Sequence, residues 1–184
     1  MKSVLASIQP RWCEKIAAGE KTDEIRKNAP KLPTPFKCYI YQSKTMWGYP
    51  ILRHLGLLAL MEKLDIGRGK VIGEFVCDAV AEVTINNDKK LEKTSCVSLS
   101  EMWKYAAPKS AFDLKAWHIS GLVIYEKPKE LCEFYKVGTL SASDWEYQLY
   151  DGSGDPSRRS YASYLFTRAI RKPPQSWCYV EDLG

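Results

Sequence analysis

Lys21, Glu24 and Arg26 fall within one short segment, Gly19-Glu20-Lys21-Thr22-Asp23-Glu24-Ile25-Arg26. Residues two apart on a strand share a face, so a strand over 21–27 sets Glu24 beside Arg26. Lys21 follows the glycine that ends a preceding helix, at the mouth of whatever cleft helix and strand enclose. A carboxylate between two cations suits a polar ligand. The cations hold a phosphate or a carbonyl, and the carboxylate takes a donor or a proton. Arg26 offers a planar fork for phosphate, and Lys21 a point charge. If the site performs chemistry, Lys21 and Glu24 are the acid–base candidates. In a hydrolase, Glu24 would activate water and Lys21 would stabilise the developing oxyanion. The plain alternative is a strand-face ion pair, worth at most about 1 kcal/mol if exposed.

Flat and basic residues elsewhere extend this reading. Trp47, beside Gly48 in a turn, is a candidate stacking surface for a base, and Trp117 is another. Lys44, just past a strand, is a candidate phosphate contact. Trp12 lies on the apolar side of a helix and reads as core. Glu74, inside an apolar run, reads as the solvent-facing member of a half-buried strand, with a second cleft carboxylate as the alternative. His118, between Trp117 and Ile119, reads as a structural group. Tyr161, Tyr164 and Arg168 share a helix face, and with Arg158 and Arg159 they form the most basic local cluster.

The elements that must position these residues are signposted unevenly. Lys2 to Ile8 alternates as a strand, and Pro10 suits the first turn of a helix over 10–18 that Gly19 stops. Strands are expected over 36–42 and 117–125, with a long bent strand or hairpin over 70–85 relieved at Gly73. A short helix over 99–106, capped by Ser98 or Ser100, stops before Pro108. A helix over 51–64, a short helix or turn over 128–135, a helix over 161–170 and a last strand over 177–180 complete the expectation. Strands with few regular crossover helices point to an α+β fold, a small mixed barrel of about six strands with short flanking helices.

Composition bounds the function without naming it. The chain has 184 residues, enough for one core and one domain, with 27 basic and 22 acidic side chains scattered along it. The net charge of +5 permits a nucleic-acid partner without requiring one. Six cysteines lack any C-x-x-C pairing and the two histidines lie far apart, so neither a metal site nor another cofactor is expected. The first residues hold no apolar run of signal-peptide length, and Leu55 to Met61 falls short of the ~20 residues of a membrane helix. The expectation is a cytoplasmic protein with reduced, mostly core cysteines and no membrane partner.

The pattern Gly19-x-Lys21-x-x-Glu24-x-Arg26 resembles the G-x-K-x-x-E-x-R signature of the ASCH domain family. Ser7-Ile8-Gln9-Pro10-Arg11-Trp12 is similar to that family's entry segment. FKCYIYQSK at 36–44 and GKVIGEFVCD at 69–78 resemble its next strands. Trp117-His118-Ile119 and PPQSWCYVE look like closing elements of a bacterial or phage branch. The segment 138–172 hardly matches and reads as an insertion. The resemblance implies a PUA-like barrel with a cleft. It also implies an RNA- or nucleotide-binding module, with Lys21, Glu24, Arg26, Trp47 and Lys44 as ligand-binding candidates. The alternative it implies is a metal-independent hydrolase, either an amidohydrolase on N4-acylated cytidine nucleosides or a ribonuclease. Hydrolytic relatives carry a small hydroxyl residue where this chain has Glu24, with Thr22 the nearest hydroxyl, which weighs towards binding.

Overall fold

The computed structural model describes residues 2–44, 68–137 and 169–183. The expected turn at 46–50 with Trp47, the helix over 51–64, and positions 138–168 with Tyr161, Tyr164 and the three arginines lie outside them. Six strands are described: β1 (Lys2–Ile8), β2 (Asp23–Arg26), β3 (Phe36–Gln42), β4 (Lys70–Glu82), β5 (Lys115–Glu130) and β6 (Trp177–Glu181). Helices α1 (Pro10–Ala17), α2 (Asp88–Ser95) and α3 (Leu99–Ala106) accompany them, with single 3-10 turns at Ala111–Asp113 and Leu131–Glu133.

The strands form one sheet in the order β2-β5-β4-β3-β1-β6. It is mixed: β1 and β3 run parallel, and the other pairs are antiparallel. Register shifts interrupt the β4–β5 ladder at three places and the β3–β4 ladder between Ile40 and Tyr41. Each such irregularity adds local bend and twist, so the sheet curls instead of lying open. Gly73 sits at one of them; a Cβ there would lie 2.4 Å from the Val123 carbonyl oxygen, a close approach only glycine permits.

The curl brings the first and last strands of the order together, and side chains join them. Arg26 of β2 donates from Nη1 to the Ser176 carbonyl (3.1 Å), just before β6, and from Nη2 to the Ser7 carbonyl of β1 (2.9 Å). Behind this junction the Trp117 and Trp177 rings meet edge-on with centroids 6.0 Å apart. Trp117 is fully buried, which overturns its candidacy as a stacking surface.

Period-two alternation explains the cores. Val4, Ala6 and Ile8 of β1 join Cys38 and Ile40 of β3, Cys13 and Ile16 of α1, and Trp117 inside the curl. Leu5 points to the opposite face, where Tyr39, Phe134, Ile170 and Val180 cover it. Strict alternation with Val4, Ala6 and Ile8 would turn Leu5 outward with Ser3 and Ser7. The return of 131–134 and 170 over this face buries it instead. A third cluster (Ile25, Val83, Leu91, Met102, Ala106, Leu114) packs α2 and α3 onto the β2 end of the sheet. Boundaries moved where pairing overrode local signals: β5 runs on through Pro128 to Glu130, and β4 is a single strand ending at Glu82.

Candidate functional site

Helix α1 begins at Pro10, whose missing N–H costs nothing there, and ends where Gly19 adopts φ +73°. The chain then turns directly into β2, pinned by Thr22, which donates its N–H to the Thr94 carbonyl and accepts from the Ile119 N–H, each at 2.8 Å. Lys21 therefore precedes the strand, and its side chain is buried, 1 % exposed. Its ammonium donates to the carbonyls of Asp23 (2.8 Å) and Ser95 (2.6 Å) and lies 3.3 Å from Glu24 Oε2. Ser95 is the last residue of α2, so Lys21 closes off a helix C-terminus, where a cation is favoured by the orphan carbonyls and the helix dipole.

Glu24 and Arg26 share a strand face, as their spacing requires. Arg26 Nε stands 3.0 Å from Glu24 Oε1, at ion-pair distance but without hydrogen-bond alignment. The rest of the guanidinium is spent on Ser7 and on Ser176, whose hydroxyl also lies within 3.3 Å. All three side chains are buried. Each charge thus meets an opposite charge or a carbonyl, as burial demands. They form a floor of fixed polarity, not a set of reaching arms.

Above that floor is a cleft of about 300 Å³, lined by Lys21, Glu24 and Arg26 together with Ser7, Trp12 and Tyr105 among others. One wall is α1, where the Arg11 guanidinium lies 4.2 Å from the Trp12 ring centroid and the Lys21 ammonium 5.2 Å from it. Trp12 is half-buried at the edge of the core, so it packs and lines the cleft at once. The facing wall is α3. Its N-terminus carries a capping box between Ser98 and Glu101, so that of the two serines the sequence offered as caps it is Ser98 that serves. Glu101 also lies 3.4 Å from Arg11 Nη1, tying the two walls together at the mouth.

The other sequence candidates are dispersed. Lys44 is exposed and lies against Gly69, lining a separate hollow that meets the cleft only through Ser7, Ser43 and Gln175. Glu74 is far from a cleft role: it accepts from the Tyr125 hydroxyl (2.5 Å) and pairs with Lys37 (3.6 Å). His118 meets Asp78 through Nδ1 at 2.6 Å on an exposed stretch of sheet, and this contact draws the Asp78 carboxyl below its usual range. Among the described residues no group of three or more His, Cys, Asp or Glu is arranged to hold a metal ion. No helix among them is long and apolar enough to cross a membrane.

Sequence reasoning missed α2, Tyr105 and Ser176. Helix α2 has a single large apolar residue facing in, Leu91, so it carries no helical period. Tyr105 was legible only as an aromatic on the exposed side of α3. Ser176 acts through its carbonyl, which no side-chain pattern can announce.

No family model and no curated protein matches the chain. Solved structures do. It is similar to the crystal structure of ASCH from Zymomonas mobilis at 14% identity and a TM-score of 0.50, over 98% of this chain and 88% of that one. It is likewise similar to a serine-to-alanine mutant of the Zymomonas mobilis protein at 15% identity and a TM-score of 0.51, over 98% and 89%. The chain has the fold of these ASCH structures, a small α+β curled sheet with flanking helices.

Proposed function

We propose that this protein is a nucleotide-binding module that holds one unit of RNA, base inward, in the cleft between α1, β2 and α3. The observation that carries the reading is the pairing of a fixed charged floor (Lys21, Glu24, Arg26) with the Arg11–Trp12 wall in a cleft of about 300 Å³. That volume sits at the lower end of the ~300–1,000 Å³ typical of small-molecule sites, which suits one nucleotide and excludes a helix. Trp12 offers a flat apolar surface, Arg11 a mouth cation for phosphate, and Ser7, Gln175 and Ser176 polar groups for the edge of a base. The fold is that of structures described as ASCH, which supports an RNA-related ligand. A hydrolytic role draws on no observation as specific. The Lys21 ammonium already has three acceptors around it, and the Glu24 carboxylate is held between two cations.

Calorimetric titration with the four nucleoside monophosphates tests the reading. Binding of at least one, weakened about tenfold or more in Trp12→Ala and in Arg11→Ala, is the expected result. Absence of binding by all four would overturn it. Arg11 is exposed and Trp12 half-buried, so these variants probe the ligand with less disturbance of the fold than changes at the buried floor.

A further inference from the structure

Tyr39 and Tyr41 stand two apart on β3 and turn the same way, into the cluster that holds Leu131, Phe134 and Ile170. Their hydroxyls fare differently. The Tyr39 hydroxyl donates to Asp182 Oδ1 (2.6 Å) and accepts the Leu183 N–H (2.9 Å). Tyr41 is 2% exposed, and its hydroxyl meets no donor or acceptor among the described residues. A buried tyrosine ordinarily finds a partner for that group. Burial alone pushes the Tyr41 hydroxyl above its ordinary range, so at neutral pH it is a protonated donor in want of an acceptor.

The sealed side-chain atoms without a partner among the described residues are Arg26 Nε and Trp117 Nε1. The Tyr41 oxygen is therefore open to some space, and the space Tyr41 lines is the hollow beside the cleft, about 1,070 Å³ in volume. Its walls are the end of β3 with Tyr41 and Lys44, the return with Leu131, and the approach to β6 with Ile170 and Pro173. Backbone ties hold these walls. The Ser43 N–H donates to the Ile8 carbonyl and the Ile170 N–H to the Phe134 carbonyl, each at 2.8 Å, and the Ser7 hydroxyl donates to the Pro174 carbonyl at 2.7 Å. A roomy recess with apolar walls and one buried donor has the make-up of a small-molecule site.

Charge sets the sign of the ligand. Lys44 and Arg171 line the hollow against one carboxylate, Glu130, which already pairs with Lys70 at 2.8 Å. The Lys44 stem fills the space a side chain at position 69 would take, and its ammonium has no ion-pair partner among the described residues.

We propose that this hollow is a second binding site, for a small monocarboxylic acid with an apolar body. The carboxylate accepts from the Tyr41 hydroxyl beside the Lys44 ammonium, and the body packs on Leu131, Ile170 and Pro173. A charged acceptor makes the strongest use of a desolvated hydroxyl. The site is independent of the nucleotide reading, because hollow and cleft share only Ser7, Ser43 and Gln175.

Calorimetric titration of the full chain with 2-naphthoate, indole-3-acetate and decanoate, each beside its neutral primary amide, tests the proposal. At least one acid should bind, several-fold more tightly than its amide. Tyr41→Phe should weaken that acid about tenfold, and Lys44→Ala a few-fold, with less dependence on salt. Because Tyr41→Phe deletes a hydroxyl without a partner, its denaturation midpoint should stay level or rise. A clear fall would mean that the hydroxyl is already satisfied within the protein, and would overturn the proposal. So would the failure of all three acids to bind, equal binding of acids and amides, or affinities unmoved by both variants. An acid weakened by Trp12→Ala as much as by Tyr41→Phe would lie in the cleft instead, which also overturns a second site.

Discussion

The ammonium of Lys21 donates to the carbonyl of Ser95 at 2.6 Å, joining the entry of β2 to the last turn of α2. A residue whose type and spacing suggest a ligand contact is thus also a tie between two elements 74 positions apart in sequence. Replacing Lys21 by Met should therefore unfold the protein more readily. Removing one partner of a buried charge cluster costs about 3 kcal/mol or more, since Glu24 loses a cation and two carbonyls lose a donor. Urea denaturation checks this; a loss below about 1 kcal/mol would mean that water replaces the ammonium at no penalty.

Arg26→Lys keeps the charge and forfeits the fork. A lysine cannot reach Glu24, Ser7 and Ser176 together, so a loss of about 2 kcal/mol is expected despite the conservative change. Amide exchange should quicken at Ser7, whose N–H donates to the Ser176 carbonyl (2.8 Å), more than at Tyr39 inside the sheet. Equal acceleration at both would contradict a local role.

How much of this was readable from the sequence depends on what each residue uses to act. The strand at 36–42, the α1 segment and the Ser98 cap were legible because side-chain type and spacing fix them locally. The Glu24–Arg26 pairing followed from the strand period. Burial of Lys21 did not, because it depends on α2, a helix with only Leu91 and Ser95 buried. Lys44 and Glu74 went to other surfaces for a related reason: which strands adjoin is set by the sheet order, and neither composition nor period encodes it.

Alkaline pH should destabilise the fold before any strand breaks. Burial, then the bond to Asp182, pushes the Tyr39 hydroxyl up to about 12. Burial, then the nearby Asp78 charge, pushes the Cys77 thiol up to about 12. Burial raises the Cys13 and Cys38 thiols as well. A raised folded value means the native state keeps its proton more tightly. The associated stability is complete below the unfolded values, 9.0 for thiols and 10.0 for tyrosine, and is lost as pH rises towards the folded ones. Denaturation midpoints should fall steadily above about pH 9. Flat midpoints to about pH 11 would refute this.

Ser98→Ala removes the acceptor for the Glu101 N–H and should cost about 1 kcal/mol. Because Glu101 also faces Arg11, the same change should loosen the cleft mouth and weaken monophosphate binding a few-fold. Thermal denaturation and calorimetry together check this, and a stability loss without any change in affinity would separate the cap from the site.

The junction between β2 and β6 has a further meaning. Every other neighbouring pair in the sheet is laced by a backbone ladder, which must be unpicked several bonds at a time. This one is fastened by the guanidinium of Arg26. The curled sheet therefore has a button where the rest has a seam, and it lies on the floor of the cleft. A ligand that competes for that guanidinium would loosen the contact between the two edges of the sheet, so that occupancy and curvature become one variable.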